Sequence, residues 1–321
     1  MLVTCTVYQE GRKLRDISIV EISDYVCRSD CLVWVALKDA EHAELEEMRL
    51  EFGLHELAIE DAHHGHQRPK IEEYDESLFT VMKPVEMVNG ELSVGEMAVF
   101  VGKNYVLSVR NHSEQNFRSV RERCEREPHL LQQGAGFVLY ALMDTVVDRY
   151  FPLVEALESE LETIEDEIFV KGSARSNIER LYELKGKVTV LKHVVAPLLE
   201  AVAKLHGGWV PQVCDNTQEY FRDVHDHLAR INASIDAIRD AISVAIQVNL
   251  SMVTIDQSEV SKRLAAWAGI FAMATTLAGI WGMNFEVMPE LKWVYGYPVA
   301  LLAIAIICGI LYIRFKRAEW L

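Results

Sequence analysis

The hydrophobic positions divide the chain into a short-period part, a long-period part and two solid apolar runs near the end. Val3–Tyr8, Cys31–Leu37, Ser77–Val88, Glu96–Val101 and Tyr105–Arg110 are β-prone runs. Gly102-Lys103-Asn104, between the last two, predicts a hairpin loop. Ala40–Phe52 carries Leu45, Met48 and Phe52 near helical spacing, and Leu54–Asp61 adds another helical turn or two. Residues 1–112 therefore predict a mixed α and β domain.

From Ser113 the strand signals vanish. Residues 113–216 predict an acidic helical region. It comprises a charged helix over Glu114–Glu127 and a long one over Gln133–Val170, bent at Pro152, which has no N–H to donate. Leu157, Leu161, Ile164 and Ile168 form an apolar stripe on the second, with Glu158–Glu167 crowding its other faces. A third helix over Ser176–Leu205 is expected to open on Ser176 and Asn177, to be interrupted near Pro197 and to close at Gly207-Gly208. From Thr217 to Trp281 there is no proline and no helix-ending cluster. Leu228, Ile231, Ile235, Ile238, Ile242, Ala245, Asn249, Met252 and Ile255 recur there at steps of three and four. The pattern predicts one continuous helix of roughly 100 Å at about 1.5 Å per residue, the alternative being a break near Ser251–Ser261. Its portion 217–263 suggests a coiled-coil-like stalk and hence oligomerisation.

Leu264–Trp281 and Tyr297–Ile313 carry no charge and are long enough to cross a membrane. They predict spans over 264–281 and 297–313, a loop over 282–296 and a basic tail over 314–321. Lys262 and Arg263 precede the first span, and Arg314, Lys316 and Arg317 follow the second, while the loop has one cation, Lys292. By the positive-inside rule both termini are expected in the cytoplasm and Asn284 outside. Met1–Glu10 shows no signal-peptide pattern.

Within the first span, steps of three or four connect Ser258, Ser261, Ala265, Ala268, Ala272, Thr275, Gly279 and Gly282, all small or weakly polar. Such a stripe serves close helix packing, and it can also line a narrow hydrated path. Asn284, at its end, favours the path, because an amide oxygen at a pore mouth accepts hydrogen bonds from the water around a cation. The second span is apolar all round, as a helix facing membrane lipid would be. Two spans cannot easily enclose a channel, so several copies around one axis are implied.

The net charge of -16 argues against a nucleic-acid partner and is compatible with cations, though acidic proteins are often simply soluble. The six cysteines have neither zinc-ribbon nor CxxC spacing and are expected as free thiols. No P-loop, Ser/His/Asp signature or paired catalytic carboxylates are apparent, so an enzyme is not expected. His63-His64-Gly65-His66 and His225-Asp226-His227 are candidate transition-metal ligands, with polar surface the simpler account.

Ile280-Trp281-Gly282-Met283-Asn284-Phe285-Glu286, followed by Met288-Pro289-Glu290-Leu291, closely resembles the Gly-Met-Asn motif and loop of the CorA family of magnesium transporters. His66-Gln67-Arg68-Pro69-Lys70 and Tyr220–His227 resemble its two cytoplasmic signatures, so the resemblance covers nearly the whole chain. It implies a homopentameric funnel: an α+β cytoplasmic domain, a long stalk helix and a two-helix transmembrane region. It implies Mg²⁺ uptake, often with Co²⁺ or Ni²⁺ transported too, and no organic cofactor. Gly282, Met283 and Asn284 take the filter positions, and Glu286, Glu290 and Lys292 lie at the entrance. Ser258, Ser261, Leu264, Ala268, Ala272, Thr275 and Gly279 line the pore. Asp61 and Asp223, with Glu60 beside the first, match carboxylates that bind regulatory Mg²⁺ between subunits. Ser258, Ser261 and Ala272 stand where some members carry large apolar residues or Asn, and Met273 replaces a frequent proline. The zinc transporter ZntB shares the two-span plan. A membrane-anchored coiled-coil interaction protein is the reading from a different class.

Overall fold

The computed structural model describes the chain apart from Lys171, residues 208–210 and residues 284–292. It divides into two compact units, Met1–Asp166 with Glu179–Val244, and Glu167–Ile178 with Ala245–Leu321.

The first unit is built on a seven-stranded sheet. Its strands are β1 (Leu2–Gln9), β2 (Arg12–Asp16), β3 (Cys31–Lys38), β4 (Lys70–Tyr74), β5 (Ser77–Met82), β8 (Glu96–Val101) and β9 (Tyr105–Asn111), in the order β2-β1-β3-β9-β8-β5-β4. Only β3 and β9 pair in parallel. β6 (Val85–Val88) and β7 (Glu91–Val94) form a separate hairpin. Alternation sorts the side chains: Val33, Val35, Leu37, Ala98, Phe100, Leu107 and Val109 share one core. That core is closed by α1 (Ile22–Val26), α2 (His42–Phe52) and α3 (Glu56–His64), through Ile22, Leu45, Met48 and Ile59. The rest of the unit's helices begin with α4 (Arg118–Arg126), α5 (Pro128–Leu131) and α6 (Ala135–Asp148), the last packing on β8 and β9. The β8–β9 hairpin turns at Gly102, where a Cβ would sit 2.1 Å from the Tyr105 ring, so glycine alone fits.

Next come α7 (Tyr150–Glu167), α8 (Ala174–His206), α9 (Gln218–Trp281) and, in the second unit, α10 (Gly296–Arg317). The α9 stripe from Leu228 through Ile242 is buried, as are Leu157, Leu161 and Ile164 on α7 and Leu184, Leu191 and Leu198 on α8. Lys187 of α8 meets Glu160 of α7 at 3.0 Å, and Lys192 of α8 meets Asp236 of α9 at 2.7 Å. The chain thus uses this part of the stripe for its own packing, and the stripe by itself is not a sign of oligomerisation.

Several sequence expectations are corrected. Pro197 does not interrupt α8, because Val194, Val195, Leu198, Ala201 and Val202 around it are buried. Their packing outweighs the ~3 kcal/mol proline penalty. α8 begins at Ala174 rather than on Ser176-Asn177. Asn177 is wholly buried inside the helix, its N–H donating to the Ser173 carbonyl at 2.9 Å. The long helix expected over 133–170 is two, broken at Arg149. Pro152 cannot donate to the Asp148 carbonyl four residues back, so the break falls before the proline and not at it. The Glu114–Glu127 helix starts only at Arg118, whose N–H donates to the Asn116 side chain at 2.8 Å in a competing turn. Ser77–Val88 is two strands in different sheets, parted at Lys83-Pro84. The polar strands β2, β4 and β7 carried too few apolar residues to announce themselves.

Glu96 is 3% exposed and accepts from Lys83 Nζ at 2.6 Å and from the Gln67 N–H at 3.1 Å. Lys83→Met strands that carboxylate and is expected to cost about 3–5 kcal/mol. Thermal melting of the detergent-solubilised chain checks this, with Glu96→Gln added to the same variant recovering much of the loss.

Candidate functional site

The first span lies on α9 within the second unit. Its buried positions are Ala266 and Ile270, and Ala274, Leu277 and Trp281 are half-buried. α10 packs there: Cys308 Sγ lies 3.9 Å from the Ile270 carbonyl, and the Trp267 and Tyr312 rings are 6.3 Å apart. At about 100° per residue, those five positions share one direction, and the small-residue positions Ser258, Ser261, Ala265, Ala268, Ala272, Thr275, Gly279 and Gly282 cluster about 180° away. All eight are exposed, as is Leu264. A Cβ at Gly279 would meet nothing within 4 Å, so no contact among the described residues demands glycine there. The Thr275 hydroxyl donates to the Phe271 carbonyl at 2.8 Å, which leaves its oxygen free to accept. α9 ends at Trp281, and the Gly282 N–H still donates to the Ala278 carbonyl at 3.0 Å. Gly282 and Met283 are exposed. Asn284, Glu286, Glu290 and Lys292 lie outside the described residues. α10 has no buried residue, and both helices are long and apolar enough to cross a membrane.

In the first unit, Asp223 stands on α9 one turn before His227, which places both on one face. Asp144 and Asp148 are spaced in the same way on α6. One ligand atom each from Asp144, Asp223 and His227 falls within 4.8 Å of the others. His227 Nε2 is 3.9 Å from Asp223, and its Nδ1 is 3.7 Å from Asp148, buried and without a hydrogen-bond partner among the described residues. Arg123 of α4 donates to Asp144 at 2.7 Å. Burial and the neighbouring Asp144 raise the Asp148 carboxyl above the usual carboxylate range. Three carboxylates and an imidazole against one guanidinium leave this corner short of positive charge, and these donors suit a divalent cation.

Asp61 lies elsewhere. Its carboxylate accepts from Lys70 Nζ at 2.7 Å and Gln67 Nε2 at 2.9 Å, and Glu60 beside it is exposed. Among the described residues the three-ligand cluster contains Asp223 but not Asp61. Sequence reading missed Asp144 and Asp148. The signal was there as two pairs of ligand-type residues four apart, but nothing in the sequence says that α6 and α9 face each other. His63 and His42 rings approach to 4.9 Å on the exposed side of α2 and α3.

The family described as CorA-like Mg²⁺ transporter protein matches residues 29–317. The chain is 36% identical over 84% of its length to the cobalt/magnesium transport protein CorA of Thermotoga maritima, of which 78% is covered. It is 31% identical to the putative metal ion transporter YfjQ of Bacillus subtilis, with 89% of each covered. The fold matches the complete CorA magnesium transporter structure from Methanocaldococcus jannaschii with a TM-score of 0.79 over all of both chains, at 19% identity.

Proposed function

Because the chain belongs to the CorA-like Mg²⁺ transporter family, we propose that it conducts Mg²⁺, and with it Co²⁺ and Ni²⁺, into the cytoplasm through a pore lined by the small face of α9. The observation that carries the reading is the placement of that face, exposed and turned away from α10. A small polar-edged face left exposed among the described residues suits an axis shared by several copies, here a homopentamer. α10 then faces lipid, and the basic residues flanking the spans put both termini in the cytoplasm. Asn284 forms the filter with Gly282 and Met283, and Glu286 and Glu290 draw cations to the entrance against the single Lys292. Neither ATP nor an organic cofactor is required. A divalent ion gains roughly 4.6 kcal/mol per 100 mV of inside-negative potential, twice the single-charge value.

Gating follows from charge. Asp223, with Asp144 and His227 around it, is the regulatory end of α9. Cytoplasmic Mg²⁺ bridging Asp223 to Asp61 and Glu60 of a neighbouring copy holds the ring closed, and its loss opens the pore. Lys70 already shares the Asp61 carboxylate, so Asp223 is the stronger determinant. Asp223→Lys is expected to retain currents at internal Mg²⁺ that silence the unmodified protein. Inhibition at the same internal concentration would remove Asp223 from the sensor.

The deciding experiment is uptake into proteoliposomes containing a Mg²⁺-sensitive dye, with Co²⁺, Ni²⁺ and Zn²⁺ as competitors. Zn²⁺ flux in preference to Mg²⁺ would move the chain to the zinc branch. No flux of any of them would leave the spans as anchors.

A further inference from the structure

A cavity of about 750 Å³ lies between the second face of the sheet and α4. Trp34 and Ala36 of β3, Arg110 of β9, Thr4 of β1 and Arg121 of α4 contribute to its wall. None of these residues belongs to the pore or the cation cluster.

Three residues of this wall each carry a buried polar atom with no hydrogen-bond partner among the described residues: Trp34 Nε1, Arg110 Nε and Thr4 Oγ1. The indole and guanidinium nitrogens can only donate, so what they lack is an acceptor. Trp34 is 2% exposed, and a buried donor left unpaired is costly. The two arginines add charge. Arg121 lies 4.9 Å over the Trp34 ring and donates to the Thr6 hydroxyl at 2.9 Å. Arg110 donates to the Gln115 carbonyl and lies over the Phe117 ring at 5.8 Å. Among the described residues neither has a carboxylate within ion-pairing distance. The acidic residues of the wall are already engaged: Asp16 with Thr6 and Lys13, Glu122 with Arg118, and Glu125 with Tyr8. Burial lowers the Arg110 pKa from its ordinary value, and Asp39, Glu114 and Glu86, beyond ion-pairing distance, only partly oppose it.

We propose that this cavity binds the oxyanion group of a small soluble metabolite, a phosphate monoester or a carboxylate, between Arg110, Arg121 and the Trp34 N–H. A planar guanidinium receives either group through paired hydrogen bonds, and the cavity falls within the range of small-molecule sites. A cation is disfavoured there, because two of the three unmet atoms can only donate and two guanidinium groups stand in the wall.

The test is calorimetric titration of the full chain in detergent, with Mg²⁺ removed beforehand by gel filtration so that its chelation does not contribute. AMP and citrate are the two probes, and the one that binds identifies which oxyanion the cavity takes. Binding at one site per chain is expected. Arg121→Gln should weaken it about tenfold or more, as loss of a charge-assisted pair does. Ala36→Phe, which fills the cavity and removes no charge, should abolish it in a chain whose melting temperature is retained. Absence of binding by either probe up to about 10 mM, beyond the roughly millimolar range of a specific site, would overturn the proposal. So would affinity unchanged in both variants.

Discussion

Asn284→Ala is expected to abolish Mg²⁺ uptake while the chain remains inserted in the membrane. Mg²⁺ holds its waters in a tight octahedron and releases them reluctantly. A filter that accepts the hydrated ion needs acceptors for those waters and not a cage of direct ligands. A ring of amide oxygens supplies them, and a ring of methyl groups does not. Each lost hydrogen bond around a charged species is worth about 1.5–3 kcal/mol, and one is lost per copy, so the fall in rate exceeds about a hundredfold. α9 strengthens the case, because it ends at Trp281. Its carbonyl end, the negative pole of the helix dipole, therefore lies at Gly282 and Met283. The check is dye uptake in proteoliposomes, with insertion verified by protease protection. Uptake at the unmodified rate would remove Asn284 from the filter.

The second large effect is expected at Ala272. Its side chain is exposed on the small face, opposite the positions that meet α10. Ala272→Phe adds a ring at an exposed position, so the protein should fold and insert. Around a shared axis the added rings obstruct the path, and uptake should fall at least about tenfold, equivalent to roughly 1.4 kcal/mol on the barrier. Ala274→Phe supplies the contrast. Ala274 is half-buried on the α10 side, so the same ring overpacks that contact at about 1–3 kcal/mol and lowers the yield of folded protein. Full conduction in Ala272→Phe would show that the face does not line the path.

Much of this was legible beforehand. Uncharged stretches marked both candidate spans, since about 20 apolar helical residues match the hydrocarbon core of a bilayer. The absence of proline between Thr217 and Trp281 marked the continuous α9. The small face was readable because 3.6-residue periodicity is local. The identity of the face that meets α10 was not readable, because it is fixed by side chains far apart in sequence, Ile270 with Cys308 and Trp267 with Tyr312. The cation cluster was half legible for the same reason. Asp223 and His227 lie in one recognisable segment, and Asp144 joins them only through packing of α6 on α9. Proline alone does not locate a helix break. Pro152 displaced its break to Arg149, and Pro197 made none. The cavity beside Trp34 had no sequence signature at all, because buried unmet donors exist only in three dimensions.

The opposed faces of α9 also bear on how this segment can change over evolutionary time. Positions such as Ala266, Ile270 and Ala274 answer to α10 of the same chain, so a change in one can be compensated by a change in the other. Ser261, Ala268, Ala272 and Gly279 are exposed instead. In a symmetric assembly a single codon alters every copy at once at the axis, and no second site in the chain absorbs the change. Variation along the span should therefore rise and fall with the helical period, with coupled substitutions on one face and near-invariant small residues half a turn away.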